Sequence, residues 1–414
     1  MKIAILSQSY PPMVSGAALF AKRLADHISA RGHQVLVLAA SDRQYPYRLS
    51  KANLLVERCR SYHNPFRVGQ RFALWPHGRI MQCLQEFSPD LIHLHDPFQF
   101  ALSSLLFSCP RRVPVLFTIH QLPWFVSASF PIGNGFGKTV ENGLWCYARW
   151  LLNHCAGAAV GTQTIAEVVC AHTGIYPRII SHGVDLSAFS PDPSDLFPEA
   201  ALRARLGIPE NAPIILHVGR LDKDKQVKKA IQAAAIAMQQ TPAHLLIVGD
   251  GTERTHLNQL CIHFGIGERS HFPGFVSVEE GLPAFYRAAR VFVMASEIET
   301  QGLVLLEAAA CALPIVAVQA TCLHEIVHEG KNGFLLPPGD VAGMADRLIE
   351  LIQNPAQAHK MGQIGKLIVE SHAAERTFDA YEDFYRAAIQ EAHLISSLLR
   401  AGAPGRARHS GESD

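Results

Sequence analysis

The 414-residue sequence lacks an excess of charge of either sign, because 37 lysines and arginines are balanced by 36 aspartates and glutamates. A protein that binds nucleic acid through a broad phosphate-neutralising face needs many more basic than acidic residues. The composition therefore argues against a nucleic-acid partner. Any anion-binding site must be local.

Paired cysteines and long apolar runs are also missing. The nine cysteines occur singly, with no Cys-x-x-Cys pair, which indicates reduced thiols and favours the cytoplasm. No apolar run reaches the ~18 to 20 residues of a transmembrane helix. The short apolar run at residues 2–6 is typical of a first strand rather than of a signal peptide. We expect a cytoplasmic protein whose membrane contact, if any, is peripheral, on the inner face of the cell membrane.

The sequence does have enough apolar residues, 48%, for large cores. Single cores tend to stop growing near ~250 to 300 residues, so this length predicts two domains. Short apolar runs alternate with helical stretches, which predicts an α/β protein with parallel sheets covered by helices on both faces. The predicted strands are 3–6, 35–40, 91–94, 113–118 and 157–160 in the first half, and 214–218, 245–248, 291–294 and 314–318 in the second.

Proline content and apolar spacing divide the chain. Prolines cluster between the two halves, around one short helix predicted at about 199–206, and such composition indicates a linker. Phe378, Tyr381 and Tyr385 have the spacing of one helix face. The predicted boundaries are 1–186 for the N-terminal domain, 187–212 for the linker, 213–375 for the C-terminal domain, about 376–398 for a helix that joins the N-terminal domain, and 399–414 for a disordered tail.

A loop with two carboxylates follows the strand predicted at 291–294. Glu299 lies in the loop, and Glu307 lies about one turn inside an alanine-rich helix. The backbone amides around Gly302 to Val304 are free at the helix start, where the helix dipole favours a negative ligand. The segment is a candidate site for phosphate or sugar hydroxyls. For the motif alone, the alternative is a capping residue and a solvated helical acid.

Two cations, Arg220 and Lys225, follow the strand predicted at 214–218. Together they can neutralise a diphosphate and stabilise it as a leaving group in a cleft. The same loop contains Asp222 and Asp224, which imitate a metal-binding Asp-x-Asp motif. Two spaced carboxylates are too few for an octahedral site, so we predict no metal.

Further candidates follow strands of the first half. Gly16 begins a helix after the first strand and allows a phosphate to approach the backbone. His93 and His95 lie on one side of a strand, followed by Asp96, and we predict that both histidines face the cleft between the domains rather than a metal. His120 follows the strand predicted at 113–118, at the carboxyl end where open parallel sheets bind ligands.

An aromatic segment follows His120. Trp124, Phe125 and Phe130 lie near the cations Lys138 and Arg149. Aromatic residues beside cations suit a membrane interface or an apolar acceptor groove. The alternative is that these aromatics belong to the core.

In their order and spacing, these motifs resemble the glycosyltransferases of family four, which have the GT-B fold of two Rossmann-like domains facing each other across a cleft. The family's two glutamates, with seven residues between them, match Glu299 and Glu307. The resemblance continues through the segments 219–225, 273–276, 330–334 and 338–340. The chain departs from the family pattern at Gln226, where the family usually has glycine, and at Ala17, where it often has a second glycine.

The resemblance implies a retaining transfer that needs no cofactor and no metal. It implies His120 and Glu299 as catalytic residues, near the donor sugar. The implied donor-binding residues are Gly16, Arg220, Lys225, Gly274, Phe275, Val276, Thr300, Gln301, Gly302, Leu303, Val304 and Glu307, the last on the ribose. The acceptor-side candidates are His95, Asp96, Trp124 and Phe125.

The loop sequence 299–303, Glu-Thr-Gln-Gly-Leu in place of the commoner Glu-Pro-Phe-Gly-Leu, is similar to that of bacterial diacylglycerol glucosyltransferases. This similarity implies UDP-glucose as donor and a membrane lipid such as diacylglycerol as acceptor. The alternatives are a mannosyl- or other transferase with a soluble or polysaccharide acceptor, a sugar-nucleotide epimerase, an inactive nucleotide-sugar-binding protein and an NAD-dependent dehydrogenase. Against the last, the segment 249–251 lacks the third glycine of a dinucleotide fingerprint. The sequence does not indicate which oligomeric state the protein has.

Overall fold

The computed structural model describes residues 1–13, 15–64, 70–124, 134–191 and 198–401. In the first half the strands are β1 (Lys2–Ser7), β2 (Gln34–Ala40), β3 (Tyr47–Lys51), β4 (Leu54–Cys59), β5 (Tyr62–His63), β6 (Arg71–Phe72), β7 (Leu91–Leu94), β8 (Val115–Thr118), β9 (Gly157–Val160) and β10 (Arg178–Ile179). The helices are α1 (Gly16–Ala30), α2 (His77–Phe87), α3 (Gln99–Arg111), α4 (Asn134–Asn153) and α5 (Gln163–Thr173).

The second half has a similar alternation. Its strands are β11 (Ile214–Val218), β12 (His244–Val248), β13 (Ser270–Gly274), β14 (Val291–Met294), β15 (Ile315–Val318) and β16 (Gly333–Leu336). Its helices, beginning with one in the predicted linker, are α6 (Glu199–Leu206), α7 (Val227–Gln240), α8 (Arg254–His263), α9 (Leu282–Arg287), α10 (Leu303–Ala310), α11 (Val341–Gln353), α12 (Pro355–Val369) and α13 (Ala374–Ala401).

Two mostly parallel sheets organise these elements. The first has the order β10-β9-β8-β7-β1-β2-β4-β3, in which β3 pairs antiparallel to β4 at one edge. The second has the order β13-β12-β11-β14-β15-β16, and all its described pairs are parallel. In both sheets the order reverses beside the first strand, between β1 and β7 and between β11 and β14. Ligands bind at the carboxyl ends of the strands at such reversal points.

All nine strands predicted from apolar runs are present, although β8 begins two residues later than predicted and β15 one residue later. The prediction missed β3, β4, β5, β6, β10, β13 and β16. In β4 the reason is visible, because Glu57 and Arg58 interrupt the apolar pattern and yet are 1% and 2% exposed. Their charges are satisfied by partners from other elements, which an apolar run does not reveal.

The helix α1 shows how local sequence builds an element beside the first sheet. Ser15 caps it, since its Oγ accepts a hydrogen bond of 3.1 Å from the amide of Ala18. Phe20, Leu24 and Ile28 recur at helical spacing and are buried against the sheet. Capping and burial together fix the start of this helix at the edge of the cleft.

The last helix, α13, packs on the first sheet, where Phe378, Tyr381 and Tyr385 are buried with residues of β1 and α1. It ends at Ala401, so residues 399–401 belong to the helix and not to the predicted tail, while 402–414 lie outside the described residues. The linker helix α6 begins and ends at the predicted residues. The domain boundaries themselves stay a prediction. Within the described ranges, no helix combines the length and apolar sequence that a membrane crossing requires.

Candidate active site

A cleft of about 780 Å³ lies between the carboxyl ends of the two sheets. The predicted site residues that line it are Gly16, His95, Asp96, His120, Arg220, Lys225, Phe275, Val276, Glu299, Thr300, Gln301, Gly302, Leu303, Val304 and Glu307. Gly274 and Trp124 do not line it, and Phe125 lies outside the described residues. The structure thus brings together residues nearly 300 positions apart in the chain.

Glu299 and Lys225 form an ion pair between two loops at the carboxyl ends of strands of the second sheet. Lys225 Nζ donates to Glu299 Oε1 at 2.7 Å, and the two side chains are 20% and 14% exposed. Lys225 ends a short 3₁₀ turn, and the next residue, Gln226, has a φ of 51°. This left-handed conformation favours glycine, the residue that the family pattern has there.

Arg220 binds both acidic residues of its own loop. Its guanidinium donates to Asp222, and its Nη2 donates to Asp224 Oδ2 at 2.7 Å. Asp222 also accepts from the amide and the hydroxyl of Thr252. The Asp-x-Asp segment therefore has a described partner, the arginine, for each of its carboxylates. In the free protein the positive charge of Arg220 is already largely compensated.

The start of α10 also lines the cleft on the side of the second sheet. Gly302 precedes the helix with a φ of 79°, and a β carbon there would lie 3.2 Å from Leu305 and Leu323, so glycine fits best. The cleft is narrow here, since a β carbon on Gly16 would lie 3.5 Å from Leu303 Cδ1. The helix start and the Gly16 turn thus approach each other nearly to van der Waals contact.

Glu307, inside α10, accepts a hydrogen bond of 2.6 Å from the hydroxyl of Tyr286. Burial raises the pKa of Glu307 to about 7, against the opposing effects of this hydrogen bond and of Arg23. The carboxyl group is therefore held by a buried tyrosine at the floor of the cleft.

Thr300 and Gln301 turn their side chains toward the first half. The hydroxyl of Thr300 donates to the carbonyl of His120 at 3.2 Å. Gln301 is 1% exposed, and its amide is bonded to Ser181 and His182. Both residues line the cleft, and their backbone amides remain available to a donor. Their assignment as donor ligands stays a prediction.

His120 lies at the centre of a histidine cluster on the first sheet. Its Nε2 is 2.8 Å from Nδ1 of His95, and its Nδ1 is 3.1 Å from Nε2 of His182. Burial and the neighbouring histidines hold the pKa values of His120 and His95 well below the ordinary value. The rings are therefore neutral at physiological pH.

The prediction that His93 faces the cleft is wrong. His93 is 1% exposed and is bonded to the hydroxyls of Tyr385 and Thr118, at 2.6 and 2.7 Å. The strand places it under α13, a helix that comes almost 300 residues later. Of the two histidines, only His95 lines the cleft.

Two acceptor-side candidates have structural partners. Trp124 packs against the rings of Trp145 and His172, at 5.8 and 6.4 Å between centroids, which supports the core interpretation of this residue. Asp96 lines the cleft but accepts from the amide of Phe98 at 3.1 Å, and burial raises its pKa to about 6. Phe130 lies outside the described residues.

The glycines of segment 249–251 have a packing role. A β carbon on Gly249 would lie 1.8 Å from the carbonyl oxygen of Gly219, and one on Gly251 would lie 2.5 Å from Leu221. They therefore let two loops approach at the carboxyl ends of β11 and β12. This close packing accounts for glycines that the dehydrogenase alternative assigns to a dinucleotide.

Several residues in or directly behind the cleft wall were not predicted from the sequence. His182 follows the short strand β10, and Tyr286 lies in α9, where it contacts Glu307. His217 is the penultimate residue of β11, and its Nδ1 donates to the carbonyl of Val293. His182 and His217 come at or after the carboxyl end of a strand, which was the available signal.

Models of two protein families match the two halves of the chain. The model described as Glycosyltransferase Family 4 matches residues 14–188, and the model described as Glycosyl transferases group 1 matches residues 198–367. The gap between the two matches, residues 189–197, lies between the last strand of the first sheet and the first strand of the second.

Individual relatives are similar over most of their length. N-acetyl-alpha-D-glucosaminyl L-malate synthase of Bacillus anthracis is 25% identical over 393 residues, which are 93% of this chain and 97% of the relative. Alpha-monoglucosyldiacylglycerol synthase of Acholeplasma laidlawii is 25% identical over 395 residues, which are 93% and 96%. The crystal structure of Anabaena HepE in complex with UDP has a TM-score of 0.71 at 21% identity and covers 94% of this chain and 100% of that one. The fold predicted from the sequence, two Rossmann-like units facing each other across a cleft, is confirmed.

Proposed function

Because the chain belongs to the Family 4 glycosyltransferases, we propose that it transfers glucose from UDP-glucose to a membrane lipid such as diacylglycerol, with retention of configuration and without a metal ion. The observation that carries the proposal is the composition of the two walls of the cleft. Arg220, Lys225 and the α10 amides lie on one wall, and His120 lies on the other. One wall suits a diphosphate and the other a sugar and its acceptor.

The proposed chemistry requires little from acid–base side chains. The bond between the anomeric carbon and the diphosphate oxygen breaks, and the acceptor hydroxyl attacks from the same face. Its proton passes to an oxygen of the leaving diphosphate, so UDP is released. Arg220 and Lys225 stabilise the charge that develops on the diphosphate. Glu299 positions sugar hydroxyls, and His120 orients the sugar.

A metal ion is not needed if Arg220 supplies the charge, and this can be tested at its partner. Asp224→Asn should keep transfer activity and leave donor affinity unchanged or up to about fivefold higher, because the carboxylate competes with the donor for Arg220 at a cost of ~1 kcal/mol or less. The measurement is transfer rate with and without EDTA, for wild type and variant. If the Asp224→Asn variant is inactive, and if EDTA inactivates the wild type and magnesium or manganese restores it, Asp222 and Asp224 are assigned to a metal.

The acceptor is inferred from the apolar part of the cleft. Leu19 and Phe98 line it on the side of the first sheet and are 42% and 45% exposed. An acyl chain could cover such surface, whereas a small polar acceptor leaves it in water. The name of the Acholeplasma relative, a glucosyldiacylglycerol synthase, supports the same acceptor class.

A lipid acceptor requires a surface that meets the membrane, and the described residues 42–64 and 70–79 supply one. Apart from the buried Glu57 and Arg58, they contain six lysines and arginines against one acidic residue, in a chain with a net charge of +1. Leu74 and Trp75 are 56% and 69% exposed beside a shallow groove that Arg48, Arg60 and Arg79 line. Trp75 has a φ of 47°, an unfavourable conformation for a bulky residue. We assign membrane contact to this basic aromatic surface in place of Trp124.

Membrane binding should depend on this surface. Leu74→Ser combined with Trp75→Ser should reduce co-sedimentation with anionic vesicles by at least about tenfold, because each large side chain contributes roughly 1.5 to 3 kcal/mol at the bilayer boundary. The matched control is Ile262→Ser with Leu367→Ser, two aliphatic residues of the second half that are 65% and 66% exposed. Equal binding of both double variants would contradict the assignment.

The function as a whole is tested by incubating the purified chain with UDP- and GDP-sugars and with diacylglycerol or soluble acceptors. The expected product is glucosyldiacylglycerol with the α configuration of the donor. Transfer to a soluble hydroxyl acid or sugar alone would establish the alternative that the Bacillus relative represents, since its name gives L-malate as the acceptor. Interconversion of donor sugars without an acceptor would indicate an epimerase.

A further inference from the structure

A chain of hydrogen bonds extends from the loop of Glu299 into the first sheet. Gln301 Oε1 accepts from the backbone amide of His182 at 2.7 Å and lies 2.5 Å from Nδ1 of the same residue. His182 contacts His120, and His120 contacts His95, as described above. Phe20 packs edge-on or tilted against all three rings, at 5.0 to 5.8 Å between centroids. The rings are thus fixed in place.

The hydrogen bonds determine which nitrogen of each ring carries a proton. The backbone amide of His182 is a donor, so the atom facing it must be the oxygen of Gln301 and not its nitrogen. Nδ1 of His182 therefore donates to that oxygen. In a neutral ring Nε2 then accepts from Nδ1 of His120, and Nε2 of His120 accepts from Nδ1 of His95. All three rings carry the proton on Nδ1.

The chain ends at a free acceptor. Nε2 of His95 is buried and has no hydrogen-bond partner among the described residues, although His95 lines the cleft. The ring is 6% exposed, so solvent contact is small. A buried lone pair beside a cleft is suited to a hydroxyl group of a bound molecule.

The groups around the three rings do not favour a protonated ring. Among the described residues, no carboxylate is hydrogen-bonded to any of the rings. The groups that face them are the other histidines, the cation Arg23 from α1, His372 through Ser181, and the phenol of Tyr381 beside His93. Cationic and neutral neighbours leave the neutral state as the stable one.

We propose that Gln301 is a positioning residue that sets the protonated nitrogen of His182, His120 and His95 in turn, so that Nε2 of His95 accepts a hydrogen bond from a hydroxyl group of a substrate. The inference rests on the proposed transfer reaction for its use, but the proton positions do not depend on it. The commoner Phe of the family pattern at this position could not set them, since phenylalanine offers no acceptor.

The proton positions can be measured directly. Nitrogen NMR of the full chain labelled with ¹⁵N-histidine, assigned with single-histidine variants, should show Nδ1 protonated in all three rings, the less common form for free histidine. In Gln301→Leu the three rings should lose this uniform pattern. A wild-type signal from protonated Nε2 in His120 or His95 overturns the proposal. This NMR result does not depend on whether the protein transfers glucose. Failure of the proposed function would appear separately, as a wild-type protein that forms no product.

Activity gives the second readout. In Gln301→Glu the carboxylate still accepts from His182 but favours a protonated ring, so the acidic limb of kcat/KM should move to higher pH by about 1 to 3 units. Gln353→Glu, at an exposed position far from the cleft, should leave the profile unchanged. In Gln301→Leu, a rise in the donor KM assigns the hydroxyl to the sugar, and a rise in the acceptor KM assigns it to the acceptor. Equal losses in both Gln301 variants, without a shift of the limb, would mean that Gln301 only packs.

Discussion

Replacing Glu299 with glutamine is expected to lower kcat/KM by about 10²- to 10³-fold, the effect of removing one positioned polar group from a reaction centre. The change removes a charge and almost no volume. It also deprives Lys225 of the carboxylate that accepts its ammonium at 2.7 Å. The fold should persist, because both side chains retain some contact with water. The measurement is the initial rate over a range of donor concentrations, which gives kcat and kcat/KM, with thermal unfolding of the same preparation.

The matched control is Glu297→Gln in the same loop. Glu297 Oε1 accepts from Lys229 Nζ at 2.6 Å, so the control breaks a similar ion pair, yet Glu297 does not line the cleft. Its activity should stay close to that of the wild type. If both variants transfer glucose at the wild-type rate, Glu299 has no role in positioning the sugar. If both lose activity together, the cause is the loop and not the carboxylate.

Replacing Arg220 and Lys225 together by alanine is expected to weaken UDP binding by about 3 to 6 kcal/mol, because each charge-assisted contact contributes ~1.5 to 3 kcal/mol. This corresponds to roughly 10²- to 10⁴-fold in Kd. The structure adds a reason for a large effect, since the variant leaves Asp222, Asp224 and Glu299 without their cations beside the diphosphate. Calorimetric titration with UDP measures it without any acceptor.

Lys228→Ala with Lys229→Ala is the control for this change of charge. Both lysines lie in the first turn of α7, outside the lining of the cleft, and Lys229 binds Glu297. The UDP affinity of the control should stay close to that of the wild type, because its two lysines act on the diphosphate only through long-range electrostatics. An unchanged affinity of the Arg220 and Lys225 variant would place these cations in a solvated loop and remove the diphosphate from this wall of the cleft.

The sequence by itself determined the architecture of the protein. Continuous apolar runs identify strands that are buried on both faces, such as β1 and β11, because burial there requires nothing specific from a partner. The short helix α6 was equally readable, since Pro198 precedes it and Gly207 ends it in a left-handed conformation. The loops after β8, β11 and β14 were located by the rule that ligands bind at carboxyl ends. These signals are local, and local interactions act on neighbours in the chain.

The tertiary structure alone decided which partner each polar side chain has. Glu57 in β4 is bonded by Arg48 and Arg79, and these contacts permit a charged residue in a buried strand that no apolar pattern marks. The side-chain oxygen of Gln301 accepts from the backbone amide of His182, a residue 119 positions earlier. The free energy of a buried polar group depends on a few atoms within hydrogen-bond distance, and these come from elements that only the folded chain brings together.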